Sequence, residues 1–424
     1  MLNECCDITD KVLRLSERAI SDAAPYFRRI DDIAQHNAEK VLLGFQRRRV
    51  SEACFAGTTG YGYNDAGRHV LDSVFSDVMG ASAAIVRAGF VSGTHAIGAA
   101  LFAALRPGKL LLSVTGTPYD TLRSVIGIAE TGKIKGSLCD LGMAYEQIEL
   151  GGNGSPNLKA IAYAVRNKAI AAVFVQRSRG YDTRRALSVP EIGEICDTVH
   201  GIDPDVAVIV DNCYGEFTDV HEPCDFGADL VAGSLIKNPG GGIAPSGGYV
   251  AGRMDLVEAA ACRLTVPGIG AECGATLGVN RALFQGLFLA PHVVGQALKT
   301  SIFCARLFEL IGYRTAPGYR EPRHDVIQSI EFGSPELLGR FCKAIQASSP
   351  VDSHLTPIAA AMPGYGDPVI MAAGTFVQGS SIELSADGPM REPYCAYLQG
   401  GLTFESGKLG VMLAASYMEK AKIA

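Results

Sequence analysis

Short apolar segments alternate with amphipathic segments over the middle of the chain, from about residue 83 to residue 253. The apolar segments are rich in Val, Ile and Leu and are apolar throughout, which is typical of strands that are covered on both faces. The predicted strands are 83–87, 109–114, 170–176, 206–210, 230–234 and 248–251. Helical periodicity is present at 94–106, 119–130, 156–166 and 190–200. This order predicts an α/β large domain with a mainly parallel sheet.

The two ends of the chain show different patterns. Residues 9–50 have the apolar spacing of one long helix, and residues 55–68 change abruptly to a Gly-, Thr- and Tyr-rich loop. Beyond residue 290 the predicted order is helix 293–311, strand 326–332, helix 335–347, strands near 369–373 and 381–385, and a helix from 404. We therefore predict an N-terminal helical arm (1–54), a large domain (55–290) and a small C-terminal α+β domain (291–424).

The composition of the chain argues against several classes of function. The chain has 424 residues and a net charge of -6 without a basic stripe, which argues against a nucleic-acid partner. Its twelve cysteines are scattered and form no metal-binding spacing, so we expect no metal site and a reducing cytoplasm. The sequence shows neither a secretory leader pattern nor a run of about 18 apolar residues, and we expect no membrane association.

Two predicted strands deliver charged side chains to one edge of the sheet. Asp211 follows the strand 206–210, and Lys237 follows the strand 230–234. A salt bridge at the sheet edge would explain the pair. The alternative is the pairing that pyridoxal phosphate requires: a lysine that binds the cofactor covalently and an aspartate that keeps its pyridine nitrogen protonated.

The same edge offers groups for a phosphate and a planar ring. Ser92, Gly93 and Thr94 open a predicted helix, where backbone N–H groups and hydroxyls bind anions, although an ordinary helix cap would look the same. Ser234 could add a hydroxyl. Tyr119 follows the strand 109–114 and is the candidate for stacking on the cofactor ring, unless it simply packs at a helix start.

Several strings resemble a bacterial family of pyridoxal-phosphate enzymes. They cover residues 55–407 in order and are YGYNDAGR (61–68), VSGTHA (91–96), TGTPYD (115–120), QRSRGY (176–181), DNCYGE (211–216), SLIKNPGGG (234–242), IELSADGPMR (382–391) and QGGLT (399–403). The family is the methionine gamma-lyase-like or cystathionine beta-lyase-like group, also called aluminium resistance proteins.

The resemblance implies the aspartate-aminotransferase-like fold, fold type I, and a homo-oligomer, dimer or tetramer, with active sites at a subunit interface. It implies that Lys237 binds pyridoxal 5'-phosphate, with Asp211 on the pyridine nitrogen and Tyr119 on the ring. The implied phosphate contacts are Gly93, Thr94 and Ser234. Tyr61 or Tyr63, with Arg68, are the candidates for phosphate contacts from a neighbouring subunit.

Three arginines are candidates for binding a substrate carboxylate, which favours a bidentate guanidinium. Arg391 is preferred because it lies in the small domain, and Arg177 and Arg179 follow the strand 170–176. The predicted activity is cleavage of a carbon–sulfur bond of a sulfur amino acid by β- or γ-elimination. Lys237, with a pKa lowered by burial and by the imine, would act as the base.

Three alternatives remain open. They are another pyridoxal-phosphate-dependent elimination or replacement, an aminotransferase, and a non-catalytic cofactor-binding protein linked to metal resistance.

Overall fold

The computed structural model describes residues 7–129 and 134–423 and contains two β-sheets. The large sheet has seven strands in the order β1-β7-β6-β5-β4-β2-β3. These are β1 Ala83–Arg87, β2 Leu110–Ser113, β3 Ala144–Gln147, β4 Ile170–Gln176, β5 Ala207–Asp211, β6 Leu230–Ser234 and β7 Gly248–Gly252. Strands β2 to β6 pair in parallel, whereas β7 is antiparallel to both β1 and β6. The predicted, mainly parallel α/β sheet is thus confirmed.

Ten α-helices are present in the described ranges. They are α1 Asp10–Arg47, α2 Ala66–Val78, α3 Gly93–Ala104, α4 Asp120–Ile126, α5 Leu158–Asn167, α6 Val189–His200, α7 Met254–Leu264, α8 Asn280–Leu310, α9 Pro335–Ala347 and α10 Phe404–Ile423. Several begin at a polar side chain that accepts from a backbone N–H, as Ser92 does for α3 and Ser188 for α6. Such caps satisfy N–H groups that have no partner within the helix.

A five-stranded antiparallel sheet forms the C-terminal part, in the order β10-β11-β12-β9-β8. Its strands are β8 Arg314–Ala316, β9 Gln328–Glu331, β10 Val369–Ala372, β11 Ser385–Pro389 and β12 Cys395–Gln399. Phe341 and Cys342 of α9 and Met412 of α10 are fully or almost fully buried in the core of this sheet.

Both faces of the large sheet are covered, which explains its uniformly apolar strands. Along β5, Val208 and Val210 belong to a core that includes Leu287 of α8, whereas Ile209 belongs to a second core with Leu101 of α3. Successive strand residues therefore enter opposite cores. Each such buried side chain contributes about 1.5–3 kcal/mol.

Several predicted boundaries were wrong. Residues 381–384 form turns rather than a strand, and strand β11 begins at Ser385. The strands β3, β8 and β12 and the helix α7 were missed, and the helix expected over 119–130 ends at Ile126, with residue 130 outside the described residues. Helix α8 begins at Asn280 rather than at 293 and crosses the expected domain boundary at residue 290.

Helix α8 is long and apolar enough to cross a membrane by length and composition, but 72% of its most apolar window is buried inside the molecule. It also includes Pro291, which is buried. Its packing is that of a core helix.

Candidate active site

Several of the predicted site residues meet at the rim of the large sheet where β5 and β6 end. Asp211 is the last residue of β5, and Lys237 lies three residues beyond β6, just before a short 3-10 helix, Asn238–Gly240. A Cβ added at Gly240 would lie 1.7 Å from the carbonyl oxygen of Leu235. Only glycine therefore allows the chain to turn back so closely behind Lys237.

A cavity of about 410 Å³ opens at this rim, and we call it the Lys237 cavity. Six of the predicted site residues line it: Ser92, Gly93, Thr94, Tyr119, Ser234 and Lys237. Asp211 is buried and does not line the cavity, but its charge interacts with that of Lys237, and its carboxylate Oδ1 accepts from the backbone N–H of Cys213 at 3.0 Å. The structure therefore places together the groups that the sequence predicted for the cofactor.

The pKa of Lys237 differs from the expected value in its direction of shift. Burial lowers its pKa, but Cys213, Tyr214 and Asp211 act in the opposite direction, and the net pKa lies above its ordinary value. The expected effect of burial is therefore present, but the net shift of the free amine is upward, opposite to the expected direction, and the effect of the imine stays a prediction. Its Nζ atom lies 4.0 Å from the centroid of the Tyr214 ring. Burial raises the pKa of Asp211, and the charge of Lys237 opposes that shift.

The N-terminus of helix α3 faces the cavity. The Oγ of Ser92 accepts from the backbone N–H of His95 at 3.1 Å, which caps the helix, and the hydroxyls of Thr94 and Thr121 are 2.8 Å apart. A Cβ at Gly93 would lie 3.1 Å from the Cβ of Ser234. The glycine therefore lets the helix start approach strand β6.

This donor set fits pyridoxal phosphate. The α3 N-terminus with the hydroxyls of Thr94 and Ser234 suits a phosphate, a lysine suits the aldehyde, and a buried carboxylate suits a protonated pyridine nitrogen. Lys237 could bind the cofactor covalently in this arrangement, and the Tyr119 ring lies in the same cavity wall.

Sequence reasoning missed nine further polar residues that line the cavity: Thr121, Tyr181, Tyr214, Ser246, Tyr365, Gln378, Ser381, Ser385 and Asp387. Tyr181 and Tyr214 lie within motifs already noted, so their positions after strands were a usable signal. Asp387 lies within the string IELSADGPMR (382–391), whereas Tyr365 lies in none of the quoted strings, and nothing local in the sequence links either residue to Lys237.

Arg177 does not line the Lys237 cavity, and the prediction that it binds a substrate carboxylate is wrong. Its side chain is fully buried and donates to Asn212 Oδ1 at 2.8 Å and to Thr218 Oγ1 at 3.1 Å. It also lies 3.7 Å from the carboxylate of Glu222. Arg177 therefore turns into the core, where it holds the segment after β5.

The other two arginines line a second cavity of about 360 Å³, which we call the Arg391 cavity. Arg391 is 2.9 Å from Asp367, and Arg179 donates to the carbonyl of Ala316 and to Ser329. Tyr119 and Tyr181 line both cavities. Neither arginine lines the Lys237 cavity, so a carboxylate bound by them would have to extend past these tyrosines.

The residues expected to reach a neighbouring subunit lie away from the Lys237 cavity. Tyr61 and Tyr63 are stacked on each other and are 73% and 56% exposed. Arg68 is 1% exposed, and its guanidinium donates to the backbone carbonyls of Gly62, Gly274 and Glu272. In this conformation Arg68 joins two loops of its own chain, so the prediction that it contacts another subunit's phosphate is wrong. For Tyr61 and Tyr63, which are exposed, the same contact stays a prediction.

Comparison with known proteins identifies the family. The model of the methionine gamma-lyase family matches residues 12–419, nearly the whole chain. This chain belongs to the methionine gamma-lyase family. The chain is 48% identical to the uncharacterized protein YnbB of Bacillus subtilis (strain 168) over 404 residues, which cover 95% of this chain and 96% of YnbB.

Two solved structures of similar length share the architecture. A carbon–sulfur lyase involved in aluminium resistance from Clostridium novyi is 53% identical, with a TM-score of 0.92 and 96% of each chain covered. A Clostridium acetobutylicum protein classed with the cystathionine beta-lyases involved in aluminium resistance is 48% identical, with a TM-score of 0.94 and coverage of 98% and 97%.

More distant structures establish the fold. The pyridoxal-5'-phosphate-dependent protein YhfS of Escherichia coli is 18% identical, with a TM-score of 0.60. This member of the methionine gamma-lyase family thus has fold type I, as predicted.

Proposed function

We propose that this protein is a pyridoxal-phosphate-dependent lyase that cleaves the carbon–sulfur bond of a sulfur amino acid. The observation that carries the proposal is that Lys237, the α3 N-terminus and Tyr119 line one cavity, and that Lys237 interacts electrostatically with the buried Asp211. The similarity to a carbon–sulfur lyase from Clostridium novyi supports the choice of reaction.

Each side chain has a distinct task in this reaction. The cofactor, when bound, withdraws electrons from the substrate. Asp211 holds a proton on the pyridine nitrogen, and the backbone N–H groups at Gly93 and Thr94 bind the phosphate. Lys237 is the base that takes the proton from the α-carbon, because it is the basic side chain among the described lining residues of the cavity.

The substrate carboxylate is assigned to Arg391. This assignment requires the guanidinium to release Asp367 and to meet the carboxylate past Tyr119 and Tyr181, which line both cavities. Release of Asp367 is feasible because the pair is half-exposed and water already competes for it. Arg179 is the alternative in the same cavity, but its side chain is buried and already donates to two oxygens.

Cellular setting and assembly are also part of the proposal. We place the enzyme in the cytoplasm because ten cysteines in the described part of the chain are free thiols, as reducing conditions require.

We propose a homo-oligomer in which Tyr61 or Tyr63 reaches the Lys237 cavity of a second subunit, because both rings are exposed on a loop of their own chain.

Borohydride reduction of the cofactor-loaded protein, followed by peptide mapping, tests the cofactor assignment. We expect one pyridoxyl label, on Lys237, and its loss in Lys237→Ala but not in Lys168→Ala, which alters a surface lysine paired with Glu146. A label on another lysine would overturn the assignment.

The reaction is tested with cystathionine and methionine in the absence of any keto-acid acceptor. An elimination releases ammonia and keto acid in equal amounts together with a thiol. Stoichiometric pyridoxamine phosphate without ammonia would instead identify an aminotransferase, and no product from any thioether would favour a non-catalytic protein.

A further inference from the structure

Glu216 has no task in the proposed reaction, although it packs against the chain on both sides of Lys237. A Cβ added at Gly233, in strand β6 before the lysine, would lie 2.5 Å from Glu216 Oε1. Asn238, directly after the lysine, donates through Nδ2 to the backbone carbonyl of Glu216 at 2.9 Å. The Glu216 side chain is fully buried and does not line the Lys237 cavity. Its carboxyl group is therefore held next to the lysine segment, out of contact with substrate.

The Glu216 carboxyl group has few hydrogen-bond donors. The hydroxyl of Tyr249, in strand β7, donates to Oε1 at 2.8 Å. The buried Oε2 atom has no hydrogen-bond partner in the part of the chain that the structure describes. Burying an ionised carboxylate is costly when one of its oxygens is neither solvated nor paired, whereas the acid form carries no charge. The geometry therefore favours a protonated Glu216.

The neighbouring Glu222 shows what an ionised carboxylate requires in this region. It accepts from Asn212 Nδ2 at 3.0 Å, and the guanidinium of Arg177 lies 3.7 Å away. Glu216 has no such arginine among its described partners, and the cation whose charge acts on it is Lys237. The protonation of Glu216 therefore depends on the charge of Lys237.

The groups around Glu216 have opposing effects on its pKa. Burial and the charge of Glu222 raise the pKa, whereas its own backbone N–H, the Tyr249 hydroxyl and Lys237 lower it, and the resulting pKa is about 8. The thiol of Cys213, in the same segment after β5, stays neutral at this pH because burial raises its pKa. Loss of the Lys237 charge would therefore raise the pKa of Glu216 further.

We propose that Glu216 takes up a proton from solvent when the cofactor binds Lys237 covalently. The inference rests on the proposed cofactor site. A lysine that is bound to the cofactor is no longer an ammonium, so a proton rather than the lysine has to neutralise the buried carboxylate. Glu216 is thus a positioning residue that keeps the net charge of the lysine segment constant. Because binding includes the uptake of a proton, cofactor affinity should fall as the pH rises between the pKa values that Glu216 has without and with the cofactor.

Infrared spectroscopy follows Glu216 itself. In the cofactor-free protein, the difference spectrum against Glu216→Gln should contain a carboxylic acid band that is lost as the pH rises past about 8. Lys237→Ala removes the cation without the cofactor, so in that background the same band should persist to a higher pH. A band that titrates at the same pH with and without Lys237 would overturn the proposal, as would the absence of the band at neutral pH.

Calorimetry of pyridoxal phosphate binding, in buffers of different ionisation enthalpy, counts the protons exchanged. At the pH where Glu216 is half ionised in the cofactor-free protein, the parent should take up as much as about half a proton more than Glu216→Gln. Glutamine can still accept the hydrogen bond from Tyr249 but cannot titrate. Glu258→Gln, which alters an exposed residue of helix α7, should match the parent. Equal proton counts in the parent and in a folded Glu216→Gln protein would overturn the proposal.

Failure of this inference can be distinguished from failure of the proposed function. Thioether cleavage with equal proton counts in the parent and Glu216→Gln would remove only the role of Glu216. A pyridoxyl label on a lysine other than Lys237 would remove both the cofactor assignment and the proton uptake that follows from it.

Discussion

Asp211 is buried at the end of a parallel strand and is joined to the Cys213 backbone rather than to an arginine. Lys237 and, more remotely, Arg184 are the cations that oppose the burial of its charge. A protonated pyridine nitrogen would be a closer counter-charge, which is why we assign this carboxylate to the cofactor.

Asp211→Asn should fold normally and lose about 100-fold or more in turnover, because the amide cannot hold the extra proton on the ring. Ammonia release and the circular dichroism spectrum measure the two effects. Activity close to that of the parent would make Asp211 a structural residue.

Arg391→Ala should mainly raise KM, because the substrate carboxylate is held in both the ground state and the transition state. The matched control is Arg123→Ala, which removes another arginine of the same cavity, one paired with Asp120. An unchanged KM for Arg391→Ala would move the carboxylate to Arg179.

Among single residues, the sequence predicted the position of those that lie next to the end of a strand or the start of a helix. Ser234 ends one strand and Lys237 follows it, and Gly93 and Thr94 open one helix, so the ends of these elements placed them at the rim. The sequence could not place Asp387, because its position depends on how the antiparallel sheet packs on the large one. Arg177 was misassigned because a side chain after a strand can turn inward when Asn212 and Glu222 accept it.

Among the elements, the segment from Leu235 to Gly247 carries the largest steric constraints. It begins after β6, includes the 3-10 helix behind Lys237 and ends at β7, and much of it is buried. The glycines there are required by space, since the carbonyl of Leu235 lies where a side chain at Gly240 would be.

Gly240→Ala should therefore destabilise the fold by about 3 kcal/mol or more and weaken cofactor binding, because backbone must move. Gly339→Ala is the control: it lies inside helix α9 with open space around its Cβ position, so alanine should stabilise by up to about 1 kcal/mol. Urea unfolding measures both. Equal stability of the two variants would contradict the steric argument.

The sequence predicted this element order well where strands are buried on both faces, and poorly elsewhere. Strands β1, β4 and β6 have the predicted limits, because their apolar runs end at polar or glycine residues. Strand β3 was missed because its residues, Ala144–Gln147, are largely exposed and polar at the sheet edge.

For the whole molecule, the two sheets contribute jointly to the Lys237 cavity: Lys237 comes from the large one and Asp387 from the small one. The exposed tyrosines Tyr61 and Tyr63 belong to a different surface. If they complete the site of a second subunit, neither chain alone has a complete site.

Mixing Lys237→Ala with Tyr61→Ala protein should then restore activity after subunit exchange. In a symmetric dimer half of the molecules are hybrids with one intact site of two, which predicts about a quarter of the parent activity. Sedimentation should show a dimer or larger. Exchange verified by mass spectrometry without recovered activity, with both single variants inactive, would show that each site is formed by one chain.

The reversal of strand β7 has a consequence for the motion of Lys237. Because β7 runs against β6, the chain that leaves the rim after Ser234 returns to the same rim at Gly247, so both ends of the short lysine segment are tied to paired strands. Its amide hydrogens, although mostly outside regular structure, should exchange with deuterated solvent nearly as slowly as those of the strands. The backbone of Lys237 would then be held rigidly. The substrate, rather than the lysine, would have to move for the two to come into contact.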